Sequence, residues 1–312
     1  MSLKYSKAEL TQLIKEKAYS LGFFAIGAAK AEPIDTKDEE AFKTWIGNDY
    51  HAEMGYLANN IDKRIDPRIL EPGTKTILSL AYNYYPEEFI DPNEYQIAWY
   101  SYGKDYHFVV KDKLTALFDA INELTPIKGR VFCDTAPVLE RYWAWKAGLG
   151  WIGKNTQLII PMAGSTFFLG ELFIDIELEY DTPQRNRCGS CTRCLKACPT
   201  GAIEQPQLLN ANKCISYQTI ENKGEIAPNI IPNLGNKIYG CDDCLKACPW
   251  TRFAKPTQEA EFKISKELLA MKRDDWHNLS EKQYQDLFRK SAAKRAKYSG
   301  LVRNIEAVKK DF

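Results

Sequence analysis

Long hydrophobic runs are missing from this chain. No window approaches the roughly 18–20 uninterrupted apolar residues that a membrane span requires, and the opening MSLKYSKAELTQLIKEKAYS reads as an amphipathic polar helix, not a signal peptide. A cytoplasmic location with no membrane partner is therefore expected. Excess charge is missing too: 42 Lys and Arg against 41 Asp and Glu leave a formal net charge of +1, so a polyanion could be held only by a local patch. With 18 Gly and 15 Pro in 312 residues, neither a fibrous repeat nor a disordered chain is plausible. No Gly-x-Gly-x-x-Gly follows a strand, and the stretch Gly148-Leu149-Gly150-Trp151-Ile152-Gly153-Lys154-Asn155 opens no helix and is not a Walker loop, which leaves a phosphate cradle weakly supported.

What is present is an ordinary globular composition, 45% hydrophobic and 27% charged, in a chain long enough for two domains or one large one with an appendage. It also has nine cysteines, eight of them within 188–248. In a reducing cytosol such clustering points to metal, not disulfides.

Apolar positions Leu10, Leu13, Ile14, Ala18 and Leu21 predict a helix over 7–21, stopped by Gly22 before a strand at Phe23-Phe24-Ala25-Ile26. A second strand is expected over 76–82 and a helix over 106–124, followed by a short strand Arg130-Val131-Phe132-Cys133 that ends on Asp134. A helix through 139–146 closes at Gly148, and 166–169 with 172–174 read as a terminal strand or hairpin. Asp134 thus falls at the carboxyl end of a strand, where open α/β sheets form their ligand crevices. The texture changes near 178 and again near 256, giving segments 1–178, 179–255 and 256–312.

The cysteines form a run Cys188-x2-Cys191-x2-Cys194-x3-Cys198-Pro199 and a second, Cys241-x2-Cys244-x3-Cys248-Pro249, with Cys214 between them. In the bacterial ferredoxin run the fourth cysteine serves the other cluster. On that rule Cys188, Cys191, Cys194 and Cys248 hold one [4Fe–4S] cluster, and Cys198, Cys214, Cys241 and Cys244 hold the second. Zinc on four thiolates is the competing reading, but zinc knuckles do not usually carry CxxCxxCxxxCP. Cys133, alone in an apolar strand, reads as a small buried hydrophobe.

Five motifs in order, YSYGKDYH (100–107), DTAPVLERYWAWKAGLGWIGKNT (134–156), the ferredoxin run, CISYQTIENKG (214–224) and KRAKYSGLVRN (294–304), together resemble the epoxyqueuosine reductase family. The resemblance implies a cobalamin-dependent iron–sulfur enzyme that reduces the epoxide of epoxyqueuosine at the wobble position of tRNA, the last step of queuosine synthesis. It further implies an α/β (α+β) N-terminal cobalamin-binding domain related to reductive dehalogenases, then a double-cluster ferredoxin-like domain and a helical C-terminal tail. Longer members carry a C-terminal helical-repeat extension, whereas this sequence stops just after its GLVRN motif. An external electron donor and a monomeric state are expected.

By the same resemblance Asp134 corresponds to the proton donor, a carboxylic acid that an apolar corrin could keep protonated near neutral pH. The plainer alternative is a helix-capping Asp. Tyr100, Tyr102, Lys104, Asp105, Tyr106 and His107 form a polar–aromatic cluster suited to the amide-bearing edge of a corrin. His107, one of three histidines, is not expected to ligate cobalt, because the family's corrin is bound with its lower face uncommitted. Arg64, Lys154, Asn155 and Thr156 match positions beside the cofactor, and Ser216, Tyr217 and Glu221 line the wall between the second cluster and the corrin. Residues 287–310 hold eight Lys or Arg against one Glu, and Lys294, Arg295, Lys297 and Arg303, with Lys223, are expected to meet tRNA phosphates. A dehalogenase-like enzyme acting on a small molecule and a ferredoxin-type carrier are the alternatives; the basic tail favours neither.

Overall fold

The computed structural model describes residues 5–309. Helix α1 (Lys7–Ser20) opens on a capping box between Ser6 and Glu9 and leads into strand β1 (Ala25–Lys30). Strand β2 (Thr76–Asn83), helix α2 (Tyr106–Leu124), strand β3 (Gly129–Phe132), helix α3 (Glu140–Lys146) and strand β4 (Phe167–Ile174) complete the first layer set. The sheet runs β1-β2-β4-β3 and every pairing is antiparallel. The crevice rule for open parallel sheets therefore does not place Asp134; the edge position of β3 and its turn toward α3 do.

Alternate residues of β2 serve two cores. Leu78 and Leu80 pack with Leu10, Ile14, Val110 and Leu114 of α1 and α2, while Ile77 and Ala81 pack with Trp143 and Ala144 of α3. Both faces being covered, the strand reads as a nearly continuous apolar run even though its neighbours are antiparallel. The segment expected to be a terminal strand or hairpin is one uninterrupted strand, and it lies in the sheet interior, not at its edge. Gly170 sits under α2, where an added Cβ would stand 2.6 Å from Leu114 Cδ1, and Glu171 is fully buried. The loop at 148–155 contains a short strand, Trp151–Ile152, paired with Leu158–Ile159.

Beyond β4, short helices Arg193–Ala197 and Asp243–Lys246 follow the paired cysteines. Helix α4 (Ile215–Ile220) and the last helix, α5 (Lys297–Lys309), share a core with Ile97, Trp99 and Tyr102. Buried Asn304 ties this region together, donating to Thr219 O and Ile238 O at 2.8 Å each. Residues 96–97 pair in parallel with 237–239, so the segment before α2 is laced to the cysteine-rich part. No helix among the described residues is long and apolar enough to cross a membrane.

Candidate active site

Strand β3 ends one residue before buried Cys133, and the chain then turns at Asp134 with φ of 58°. Helix α3 begins only at Glu140, with Leu139 in the capping position, so Asp134 caps no helix. Its partner comes from α2. Asp105 caps that helix by accepting from His107 N at 3.0 Å, and its carboxylate also takes His107 Nδ1 at 2.6 Å. The other ring nitrogen, Nε2, lies 3.0 Å from Asp134 Oδ2. Burial disfavours a charged imidazole, yet the two carboxylates outweigh it and push His107 up to about 9. Burial would likewise raise Asp134, but the His107 hydrogen bond and charge hold it below the usual carboxylate range. The two groups thus form a pair in which the imidazole favours its charged form and Asp134 its carboxylate form.

Tyr106 stacks on Phe168 at 4.2 Å and on His107 at 4.2 Å, which sets its phenol near Asp134. Tyr100 reaches toward the same wall, its hydroxyl 3.0 Å from that of Tyr239. The other members of the YSYGKDYH run point elsewhere: Tyr102 is buried in the C-terminal core, and Lys104 pairs with Glu261 at 2.7 Å. Asp134 and Arg141 reach solvent, yet the surrounding protein penalises their charges, as in side chains lining a deep concavity. The Tyr56 phenol feels the charge of Asp134, and Arg295 lies over the Tyr56 ring at 5.9 Å. An aromatic wall, a proton-bearing carboxylate–imidazole pair and polar rims suit a broad planar macrocycle edged with amides. The expected Arg64 is buried behind this wall, donating to Tyr56 O at 2.8 Å and Asn59 O at 3.2 Å, and so shapes the loop that carries Tyr56.

Sequence reasoning missed two carboxylates beneath Asp134. Glu140 accepts the Asp134 N–H, and Glu171, from the middle of β4, lies against it. The signal was a lone charge inside the apolar run FFLGELFI.

The eight clustered cysteines fall into two electrostatic neighbourhoods. Cys248 faces Cys188, Cys191 and Cys194, and Cys244 faces Cys241, Cys214 and Cys198. None is in a disulfide. Each neighbourhood gathers four thiols, the number that one cubane requires. Donors aimed at sulfur are in place: Ala202 N to Cys198 Sγ at 3.2 Å, Trp151 Nε1 to Cys188 Sγ at 3.4 Å, and the Ser216 and Tyr217 backbone N–H groups to Cys214. The glycine-rich loop underlies both neighbourhoods. Lys154 donates to Gly189 O and Cys191 O at 2.7 and 3.0 Å, and Asn155 to Cys244 O at 3.5 Å. Thr156, at φ 66°, accepts from Arg141 at 2.8 Å. The Tyr217 hydroxyl accepts from Glu53 N at 3.3 Å.

The basic tail divides. Lys294, Arg295 and Lys297 are exposed. Arg295 forks onto Glu221 with two contacts of 2.8 Å, and Lys223 donates to Ile220 O and Arg295 O. Arg303, grouped with the tRNA-facing cations from its sequence, turns inward. All of its N–H groups are spent on Gln218 O, Asn222 O, Gly224 O and the side chain of Asn304, leaving none for a phosphate.

Residues 64–135 match the family described as epoxyqueuosine reductase QueG, DUF1730, and residues 187–251 match a 4Fe-4S double cluster binding domain. The chain is 43% identical over 305 residues to the epoxyqueuosine reductase of Cellulophaga algicola, covering 97% of this chain and 99% of that one. Among solved structures it resembles an epoxyqueuosine reductase crystallised with a tRNA-Tyr epoxyqueuosine-modified stem loop (TM-score 0.88, 28% identity, 98% of this chain and 82% of that one). A reductive dehalogenase shares the fold more distantly (TM-score 0.51, 15% identity, 99% of this chain and 37% of that one).

Proposed function

The chain belongs to the epoxyqueuosine reductases, oxidoreductases with a double-cluster 4Fe-4S domain, and from that premise we propose that it reduces the epoxide of epoxyqueuosine to the alkene of queuosine at the wobble position of a tRNA, the last step of queuosine synthesis. Removing the epoxide oxygen as water takes two electrons and two protons, one presented by the protein and the other drawn from solvent. Cys188, Cys191, Cys194 and Cys248 would hold one cluster and Cys198, Cys214, Cys241 and Cys244 the other, which together would relay electrons from an external donor. A cobalamin bound beside Asp134 would supply the redox chemistry at the epoxide. Tyr100, Tyr106, Lys154, Asn155 and Thr156 would border it.

The observation that carries this reading is the Asp105–His107–Asp134 chain at the mouth of the concavity. Asp105 fixes the ring and stabilises its charge, His107 stores a proton at Nε2, and Asp134 presents that proton to the departing oxygen. Carbon–oxygen cleavage without it would leave an alkoxide, so a positioned acid is what the reaction needs from the protein. Lys294 and Lys297, with Arg295 at the rim, are the cations we assign to the tRNA backbone. We read residues 1–178, 179–255 and 256–312 as the cofactor, cluster and RNA-facing parts of one cytoplasmic monomer.

The test is anaerobic incubation of the reconstituted protein, cobalamin and a chemical reductant with an epoxyqueuosine-bearing stem loop, followed by nucleoside mass spectrometry. Loss of one oxygen from the modified base is expected. Cofactor-loaded protein that binds the stem loop and leaves the epoxide intact overturns the assignment.

A further inference from the structure

Glu140 and Glu171 are ionisable groups for which the reaction above has no use. Glu171 is fully buried in the sheet interior; Ser79 donates to its Oε1 at 3.2 Å, and its Oε2 has no donor among the described residues. The pairing of Phe132 with Glu171 brings the turn after β3, and with it the carboxyl of Glu140, up to this group. Two ionised carboxylates in contact, one of them wholly dry, would repel each other with an acceptor left unmatched, which is costly on both counts. Arg141 offers no remedy, because its guanidinium turns to Thr156. A single proton between the two carboxyls removes both costs.

The pair also touches the active site. Glu140 Oε1 accepts from the backbone N–H of Asp134, a residue whose φ of 58° lies in the left-handed region that side chains other than glycine's seldom occupy. Such a turn persists where its surroundings over-determine it, and the Glu140 contact holds the N–H on one side while His107 holds the carboxylate on the other. We propose that Glu140 and Glu171 share one proton and that the protonated pair acts as a positioning latch, keeping Asp134 turned toward His107.

Geometry of this kind is independent of titration, but titration agrees with it. Burial raises both carboxyls above the ordinary range; at Glu171 the charge of Glu140 adds to it and the Ser79 hydrogen bond opposes it, while at Glu140 the charge of Asp134 adds to it and the Asp134 N–H, Arg141 and His107 oppose it. Cys133 and Tyr106 are further titratable neighbours of the pair, and burial keeps both in their neutral forms.

The inference rests on the reductase reading for its activity arm only. The first measurement is infrared difference spectroscopy of the cluster-loaded protein at pH 7, wild type against Glu140→Gln and against Glu171→Gln. A protonated-carboxyl band present in the wild type and lost in both variants is expected, because glutamine supplies the missing donor without a proton to share. Absence of such a band from the wild type, or its survival in both variants, overturns the proposal whatever the substrate proves to be. The second is single-turnover reduction in protein shown to retain clusters and stem-loop binding. Glu140→Ala is expected to lose at least about tenfold in rate, because small misplacements of a reacting group are expensive, and Glu140→Gln to recover most of that loss. Equal losses in the two variants overturn the shared-proton latch. A wild type with the band but no turnover refutes the reductase reading and leaves the latch standing.

Discussion

Around the active-site turn, Asp105 and Asp134 flank one imidazole, and Glu140 and Glu171 lie behind Asp134. Along 291–309 the cations have fixed partners instead: Arg303 is spent on backbone and amide oxygens, Arg295 on Glu221, while Lys294 and Lys297 reach solvent. Ionisable side chains crowd both regions, yet one is built so that charge can change during a reaction and the other so that charge stays put. What separates them is the partner. A carboxylate facing another acceptor must exchange protons, whereas a guanidinium facing carbonyls has nothing to exchange.

The comparison breaks most sharply at Asp134. Asp134→Asn keeps the size and some of the hydrogen bonding of the native side chain but cannot carry a proton, and single-turnover epoxide reduction should fall by ~10²–10⁴ with cobalamin and stem-loop binding retained. A rate near that of the wild type would remove Asp134 from the proton path. Next comes Arg303→Met, which strips the carbonyls of Gln218, Asn222 and Gly224 of their donor; denaturant unfolding should show a loss of about 2–4 kcal/mol. If the variant instead kept full stability and bound tRNA poorly, the arginine would belong to the RNA surface. The Lys294→Glu, Lys297→Glu double variant should weaken stem-loop binding and reduce the slope of log affinity against log salt by about two, one for each phosphate contact. An unchanged slope returns these lysines to plain solvation.

The smallest effect is on pH-dependent stability. With His107 raised from 6.5 to about 9, its folded-state charge contributes stability that is fully present below about pH 6.5 and disappears as pH rises through about 9. The melting-temperature gap between wild type and His107→Gln should therefore be widest near pH 6 and close above pH 9. A gap constant across that range would mean that the ring is held by packing, not by charge.

Helix α2 was legible to the residue, because Val109, Leu114, Leu117 and Ile121 repeat at helical spacing behind a capping Asp105. The cysteine spacing was equally plain, since ligand geometry leaves few ways to arrange eight thiolates. Strand β4 was not. Gly170 and Glu171 look like a turn until the sheet shows the glycine under a helix and the glutamate against Glu140, both of them long-range facts. Arg303 and Lys294 were indistinguishable as letters, because a cation's role depends on whether folding brings oxygens to it. The carboxylate pair left no trace beyond one charge in an apolar run.

Gly170 carries a mechanical consequence. With no side chain at that point, α2 rests directly on the backbone of β4, and a methyl group would crowd Leu114 at 2.6 Å and Val110 at 3.2 Å. The helix is in effect seated on a hard stop of atomic thickness. His107 rides in its first turn and must meet Asp134 from another strand across 3.0 Å, so the tolerance of the whole assembly is a few tenths of an ångström. The one position in β4 that offers no grip to a neighbouring side chain thereby acts as the gauge block to which the distance between imidazole and carboxylate is machined.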